Sequence, residues 1–162
     1  MKITPSVLLA TIQLNLLRRP LMTAEIALSL LEIKRHQLPW MVENGKLPWA
    51  FNLATRPGRS ELRILSACVV ERAMGSPIPA IGATKNLELP EVVNLIVSPG
   101  RQSLSGLELQ RLFQVSPDWV NDSSLARQIT QIRENRPPTG PGSSPHFTRE
   151  SVAKLIERRR VL

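Results

Sequence analysis

The chain has 162 residues, 42% of them hydrophobic, so it is long and apolar enough to bury a core in one ordinary domain or two small ones. The formal net charge of +8 favours a polyanionic partner. Nucleic acid is the first candidate, and an acidic protein or a membrane surface is a weaker one. A single cysteine excludes an internal disulfide, and no run reaches the roughly 20 apolar residues that span a bilayer. We therefore expect a cytoplasmic protein, associated with the nucleoid if its partner is DNA.

The first predicted element is an N-terminal helix over residues 5–18, which Pro20 ends. Gln13 and Asn15 interrupt its apolar stretch, which favours a folded helix over a signal peptide. Its apolar side chains fall in one broad stripe: Val7, Leu8, Ile12, Leu16 and Leu17. The stripe predicts either packing against the next helices or a dimer contact.

Residues 21–47 have the pattern of two short helices joined by a tight turn. Thr23 is placed to cap the first helix, whose apolar positions Ile26, Ala27, Leu30 and Leu31 recur at helical spacing. Leu38, Met41 and Val42 give the second helix its inward face, and Asn44-Gly45 ends it. This order is typical of a helix-turn-helix, whose second helix enters the major groove of DNA.

The start of the second helix depends on Pro39. If the helix begins at Lys34, Pro39 lies past the first turn and kinks it. If it begins later, near Gln37 or Leu38, Pro39 sits at its first position, and Lys34 and Arg35 belong to the turn, nearer phosphates than bases. Both alternatives keep Lys34, Arg35, His36 and Gln37 on the predicted DNA side.

A hairpin, or wing, is predicted next. Residues 47–53 and 61–65 alternate as strands do, and the segment between them has Pro57-Gly58 at its centre. Arg56 and Arg59 at the tip are suited to lie along a phosphate backbone or in a minor groove, whereas the alternative is a solvated turn. Ser66 is then placed to cap a closing helix over residues 67–74.

The order T-A-E-I-A, I-K-R-H-Q and V-E-N-G-K-L, followed by a basic hairpin, resembles the MerR-type and excisionase-type winged helix-turn-helix domains. The resemblance covers about half the chain directly, and a weaker second copy covers most of the rest. It implies double-stranded DNA as the partner and a role as a transcriptional regulator or as a recombination directionality factor of a mobile element. The transcription machinery or a recombinase would be the implied protein partner.

The second half repeats the order of the first. Residues 105–113 correspond to the first helix of the first half, and Ser116 and Pro117 begin a second helix. Residues 125–132 and 145–147 flank a long second wing. Thr148 is placed to cap a last helix over residues 149–159. Ser66 and Thr148 are 82 positions apart, as are Val70 and Val152, which favours a duplication.

The predicted fold is therefore mainly α with small β-hairpin wings, an α+β chain with two winged helix-turn-helix domains in tandem. The first domain comprises residues 1–78, a linker residues 79–90, and the second, divergent domain residues 91–162. Pro and Gly in the linker predict a semi-rigid spacer. Residues 91–97 read as a short apolar helix or strand.

The two copies differ in charge. Residues 1–79 carry 10 basic and 5 acidic side chains, whereas residues 80–162 carry 11 and 8. Asp118 and Asp122 at the second predicted groove entrance repel phosphate. The first copy is thus the better predicted DNA reader, and the second either binds DNA through its wing and C-terminal arginines or contacts a protein. We expect a monomer or weak homodimer.

The predicted DNA contacts are mostly cations on the two helix-turn-helix segments and wings. They are Lys34, Arg35, His36, Gln37, Lys46, Arg56, Arg59, Arg63, Ser116, Arg127, Arg133, Arg136 and Arg149. The sequence has no P-loop, dinucleotide fingerprint, Cys/His cluster or nucleophile-base pair, so we expect no cofactor, metal or enzymatic activity. A winged-helix protein-interaction module and a replication or packaging accessory remain the competing functions.

Three other groups have two interpretations each. Trp40, Trp49 and Trp119 are core side chains or stacking platforms, with core favoured. The arginines at 158–160 form a phosphate clamp or a solvated terminus, while Cys68 reads as a buried small side chain.

Overall fold

A computed structural model of the chain describes residues 15, 16, 18–56, 58–120, 131, 132 and 146–161. It shows an α+β fold in which helices pack against two small antiparallel sheets. Most of the predicted N-terminal helix lies outside these residues; its last turn is described, with the Arg19 N–H donating to the Asn15 carbonyl at 2.8 Å. No helix in the described ranges is long and apolar enough to cross a membrane.

The first half contains a unit of six elements, which we call unit 1. In chain order they are β1 (Leu21–Thr23), α1 (Ala24–Leu31), α2 (Gln37–Glu43), β2 (Ala50–Asn52), β3 (Leu62–Leu65) and α3 (Ser66–Met74). Strand β3 lies between β1 and β2 and is antiparallel to both. The predicted hairpin is therefore confirmed, and β1 adds a third strand to it.

Helix α1 starts as predicted but buries only part of its apolar set. The Thr23 hydroxyl accepts the Ile26 N–H, which confirms the cap. Ala27 is fully buried, whereas Ile26 is 37% and Leu30 is 52% exposed, so only part of the apolar set at helical spacing packs in the core. The helix is apolar at most positions, so its pattern fits two phases, and small Ala27 lets it approach its neighbours closely.

Helix α2 begins at Gln37, so the later of the two predicted starts is confirmed. Pro39 is the third helical residue rather than the first, but it still lies in the first turn, where its missing N–H breaks no intrahelical bond. Leu38, Met41 and Val42 are buried as predicted. Gly45 has a φ of +65°, the left-handed conformation expected at the end of the helix.

Helix α3 begins one residue earlier than predicted. Its N-cap is Leu65, and Ser66 is the first helical residue. The Ser66 hydroxyl donates instead to the Arg19 carbonyl at 2.6 Å. Strand β3 runs directly into the helix, so this buried hydroxyl reaches the segment before β1 rather than the first turn of α3.

The predicted linker, residues 79–90, is packed against unit 1. It contains a 3₁₀ helix (Thr84–Asn86) and the start of α4 (Leu89–Ile96). Thr84 is buried; its N–H donates to the Glu71 carboxylate at 2.9 Å, and its carbonyl accepts the Trp49 indole N–H at 2.9 Å. These bonds correct the expectation of a spacer between separated halves, and α4 shows that residues 91–97 favour helix over strand.

The second half repeats the element order, and we call this repeat unit 2. Its elements are β4 (Ser103–Ser105), α5 (Gly106–Phe113), α6 (Pro117–Val120), β5 (Gln131–Ile132), β6 (His146–Thr148) and α7 (Arg149–Arg159). Strand β6 lies between β4 and β5, antiparallel to both, as β3 does in unit 1. Thr148 caps α7 by accepting the Ser151 N–H at 3.1 Å, as predicted.

The two units share backbone details at a spacing of 82 residues. Glu32 and Gln114, which follow α1 and α5, both have a φ of 53°, rare for residues other than glycine. The turns repeat two backbone bonds: Ile33 N–H to Leu28 O and Gln37 N–H to Lys34 O in unit 1, Val115 N–H to Gln110 O and Trp119 N–H to Ser116 O in unit 2.

The spacing becomes 83 in the closing part of each unit. Leu21 pairs with Leu65 in the first sheet, and Ser103 pairs with Thr148 in the second. Val69, and not Val70, is thus the counterpart of Val152, and both are completely buried. The closing alignment predicted from the sequence was therefore one residue out of register.

The two halves are joined by the last strand of the chain and by a shared hydrophobic core. Strand β7 (Arg160–Val161) pairs with β2, so the first sheet has the order β1-β3-β2-β7. One cluster of buried apolar side chains includes members of both units, such as Phe51 and Phe113. The division at residues 78 and 91 stays a prediction, but the described residues pack as one body around a common core.

Candidate nucleic-acid interface

The turn before α2 presents the first group of predicted contacts. Lys34 and Arg35 lie in the turn, His36 is the N-cap, and Gln37 is the first helical residue. All four are exposed. The turn therefore carries two positive charges next to two side chains that can donate and accept hydrogen bonds.

Gln37 has an internal bond that orients its side chain. Its Oε1 accepts the Lys34 N–H at 2.7 Å. The carboxamide thus caps the turn with its oxygen and retains the two donors of its amide nitrogen. A bidentate contact with adenine uses both ends of the group, so Gln37 in this conformation supplies only the donor half.

The β2–β3 hairpin presents the second group. Arg56 and Arg59 are exposed near its tip, where Gly58 has a φ of +77°, a conformation that favours glycine. The base is held by Asn52, whose Oδ1 accepts the N–H groups of Ala54 and Glu61 at 3.1 and 3.0 Å. The hairpin therefore has a base fixed by hydrogen bonds and two arginines near its tip.

Arg63 was predicted to contact DNA, and the structure contradicts this. Its side chain is buried, and the residue is 7% exposed. Its Nε and Nη2 donate to the carbonyls of Phe113 and Gln114 at 2.9 and 2.7 Å. The guanidinium therefore satisfies the last carbonyls of α5, where a cation suits the helix end. The sequence does not show that unit 2 packs against this strand.

Arg149 is also used inside the protein. Its Nη1 donates to the carbonyls of Val97 and Ser98 at 2.9 and 2.7 Å, and Nη2 donates to Asn94. It caps the end of α4 as Arg63 caps the end of α5. We remove both arginines from the set of DNA contacts.

The unit 2 counterpart of α2 is partly covered. Ser116 is exposed and accepts the Trp119 N–H at 3.4 Å, which confirms the predicted cap. Trp119 occupies the position of Gln37, but it is buried and donates its indole N–H to the Leu53 carbonyl at 2.6 Å. The start of α6 thus packs against the base of the unit 1 hairpin.

The remaining predicted contacts divide into two sets. Arg127, Arg133 and Arg136 lie outside the described residues. Lys46 is exposed just after Gly45. The exposed members of the predicted set in unit 1 are therefore Lys34, Arg35, His36, Gln37, Lys46, Arg56 and Arg59.

The structure shows where the C-terminal arginines and the three tryptophans lie, and so which of their two interpretations applies. Arg159 donates to the Ala54 carbonyl at 2.8 Å, and the Arg160 guanidinium lies 3.7 Å from the centre of the Trp49 ring. These two arginines support the hairpin and its flanking strand. Trp49 and Trp119 are core residues, but Trp40 is 56% exposed on α2. Sequence periodicity places Trp40 on the outer face of α2, opposite Leu38 and Val42.

Within the described ranges, no group of three His, Cys, Asp or Glu side chains is arranged to hold a metal ion. No protein-family model, curated protein or solved structure matches this chain.

Proposed function

We propose that the protein binds double-stranded DNA with sequence preference through unit 1, used as a winged helix-turn-helix. The observation that carries this proposal is the distribution of cations in unit 1. Lys34, Arg35, Arg56 and Arg59 are exposed on its turn and hairpin tip, while Arg63 on the central strand is buried. Exposed cations on a helix-turn-helix and its wing suit the phosphates that flank a major groove.

The contacts differ in what they contribute. The arginines at the hairpin tip and the cations of the turn would neutralise phosphates, which supplies affinity and little sequence preference. His36 and Gln37 stand at the start of α2, where side chains of a reading helix meet base edges. Because the Gln37 oxygen caps the turn, its base contact should fall at the lower end of the roughly 1–3 kcal/mol of a good pair.

Two biological roles fit this binding mode. One is transcriptional regulation, with the transcription machinery as protein partner; the other is recombination directionality, with a recombinase as partner. The described residues favour neither role over the other. Both also act in the cytoplasm at the nucleoid.

Unit 2 has a supporting role in this proposal. Trp119 replaces Gln37 and contacts Leu53, so the start of α6 is turned toward unit 1. Arg159 holds the neighbouring carbonyl, Ala54. We infer that unit 2 fixes the base of the hairpin and does not read a second DNA site.

Selection of bound duplexes from a random pool tests the proposal. We expect an enriched sequence, with binding that weakens steeply as salt rises because several cations displace counterions. A flat salt response, or a pool with no enrichment, would remove sequence-preferring DNA binding as the function.

Two substitutions assign the contacts on the selected site. Arg59→Ala should weaken binding to all duplexes alike, whereas Gln37→Ala should relax preference at particular base pairs by about 1 kcal/mol. Lys85→Ala, an exposed charge on the 3₁₀ helix, is the matched control and should change binding much less than Arg59→Ala. If Gln37→Ala leaves the preference intact, the base contacts lie elsewhere.

A protein-interaction module is the second candidate function. The observation that favours it is the exposed apolar surface of α1 and α2, where Leu30 is 52% and Trp40 is 56% exposed. Phosphate recognition does not use apolar side chains, so this surface favours a contact with another protein.

A further inference from the structure

A cavity of about 1070 Å³ lies between the two units. We call it the inter-unit cavity; its walls come from the segment before β1, the junction of β3 with α3, helix α4 and helix α5. The described lining is chiefly apolar and includes Leu16, Leu65, Ile81, Leu95, Leu104 and Leu112. Its volume is near the upper end of the roughly 300–1,000 Å³ of sites for small organic ligands, which also favour boundaries between structural units.

Several of these apolar side chains are not fully covered by the protein. Leu95 on α4 and Leu112 on α5 are half-buried, as is Ile81 in the segment before the 3₁₀ helix, whereas Leu65 and Leu104 are buried. Covering apolar surface that remains in contact with water is favourable. The cavity therefore suits the hydrocarbon part of a ligand.

The polar lining of the cavity carries an excess of positive charge. Among its described residues, four are arginines and one is a glutamate, namely Arg18, Arg19, Arg101, Arg111 and Glu108. Glu108 is already bound, because its carboxylate accepts the Ser105 N–H at 2.8 Å and pairs with Arg101. In the described ranges, the guanidinium groups of the other three arginines, all exposed, make no hydrogen bond or ion pair. These three cations are thus available to an anion.

Hydrogen bonds hold the backbone segments that carry these arginines. Before β1, the Arg19 carbonyl accepts the Ser66 hydroxyl at 2.6 Å. At the end of α5, the Arg111 carbonyl accepts the side-chain amide of Gln114 at 2.8 Å. Because both backbone segments are fixed, a bound anion would have to order only the arginine side chains.

We propose that the inter-unit cavity binds an amphiphilic organic anion, a molecule with an apolar body and one terminal anionic group. Its apolar body would cover Leu95 and Leu112. Its anionic group would pair with Arg111, which precedes Leu112 on α5, and with the arginines before β1. Guanidinium groups bind such anions through charge-assisted hydrogen bonds, so the contact selects for charge. The proposal rests on the cavity and does not depend on DNA binding.

Equilibrium dialysis of the full chain against decanoate, without DNA, tests the proposal. We expect saturable binding that is about tenfold tighter than binding of 1-decanol, which has the same hydrocarbon chain but no charge. Arg111→Gln should weaken decanoate binding by about the same factor. Arg72→Gln is the matched control and should leave binding unchanged, since Arg72 is exposed on α3 and outside the cavity lining. Decanoate that does not bind saturably, equal binding of the two probes, or equal loss in both variants would overturn the proposal.

A second pair of variants tests the apolar wall. Leu112→Glu places a carboxylate in the cavity and should weaken decanoate binding more than Arg111→Gln does. Leu107→Glu is its matched control, because Leu107 lies on the same helix, is 59% exposed and is not among the lining residues. Equal weakening by the two leucine variants would overturn the proposal. Circular dichroism checks folding, and Ala80→Glu, at an exposed lining position, replaces Leu112→Glu if that variant does not fold.

NMR titration of the isotope-labelled chain locates the bound probe. Decanoate should shift the amide resonances of Leu95 and Leu112 in the wild-type chain. Helices α1 and α2 carry other exposed apolar side chains, Leu30 and Trp40. Shifts confined to those two helices would place the probe outside the inter-unit cavity and overturn the proposal.

Discussion

Arg63 shows how a single residue can change roles when the chain folds. A cation on a strand next to a basic hairpin is expected to face solvent, yet its guanidinium donates to carbonyls of Leu62, Phe113 and Gln114. These bonds join β3 to the end of α5. Arg63 is therefore a structural residue, and its charge is satisfied by the end of a helix rather than by phosphate.

Replacing Arg63 should destabilise the fold strongly. Arg63→Ala removes the donors and leaves buried carbonyls unpaired, which should cost on the order of 3 kcal/mol. Urea unfolding measures the change, with Arg59→Ala as the exposed control, expected within about 0.5 kcal/mol of wild type. A loss below about 1 kcal/mol for Arg63→Ala would mean that the interface between the units contributes little to stability.

Cys68 carries a second prediction at this scale. Burial raises the pKa of its thiol to about 11. Since the thiolate is the reactive form, we expect Cys68 to resist thiol reagents at pH 8 until the chain unfolds. Labelling across a urea series should follow unfolding measured by circular dichroism. Fast labelling of the native chain would show that the helix carrying Cys68 opens locally.

The pH dependence has a definite sign. A thiol whose pKa is higher in the folded state keeps its proton longer when folded, so its contribution to stability is complete below the unfolded pKa of about 8.5. That contribution is lost as the pH rises toward about 11. Cys68→Ala should therefore lose less stability than wild type between these two pH values, measured by urea unfolding at each pH.

Among the elements, the β2–β3 hairpin depends most on distant residues. Trp119 donates to the Leu53 carbonyl at 2.6 Å, and Arg159 donates to the next carbonyl, Ala54. The Leu53 N–H closes the hairpin by donating to the Glu61 carbonyl at 2.9 Å. Two contacts from unit 2 thus hold the two residues that directly follow β2.

Removing the indole donor should loosen the hairpin base while leaving the aromatic packing. Trp119→Phe deletes the bond to Leu53 but keeps an aromatic ring near Phe113, whose ring centre lies 5.8 Å from that of Trp119. The expected loss of stability is about 1 kcal/mol. Hydrogen exchange of the Leu53 amide should accelerate more than exchange in α1, and equal changes in both would show only a global effect.

Local signals predicted the elements well. Thr23, Ser116 and Thr148 cap helices where their hydroxyls precede apolar runs, and Gly45 ends α2. The phase of α1, the burial of Arg63 and the use of Arg149 depend on which surface another element covers. Such contacts join residues about 50 positions apart, and periodicity within one element carries no information on them.

On the scale of the whole molecule, the described residues form one packed body despite the internal repeat. Strand β7 from the end of the chain completes the first sheet. Arg63 of unit 1 donates to a carbonyl of unit 2, and Trp119 of unit 2 donates to a carbonyl of unit 1. The repeated element order is visible in the sequence, while the bonds between the units come from residues that differ at corresponding positions. Gln37 and Trp119 show this, since the first remains exposed and the second is buried.

This arrangement predicts cooperative unfolding of both units. Native-state hydrogen exchange should give the slowest amides of α3 and of α7 the same free energy of opening, because neither unit keeps its core when the other unfolds. Both values should fall with urea at the slope of global unfolding. If the amides of α7 open at a much lower free energy and with a smaller slope, the division into domains predicted from the sequence holds, and unit 1 folds without unit 2. In that case the hairpin would keep its position without Trp119 and Arg159, and the supporting role proposed for unit 2 would be wrong.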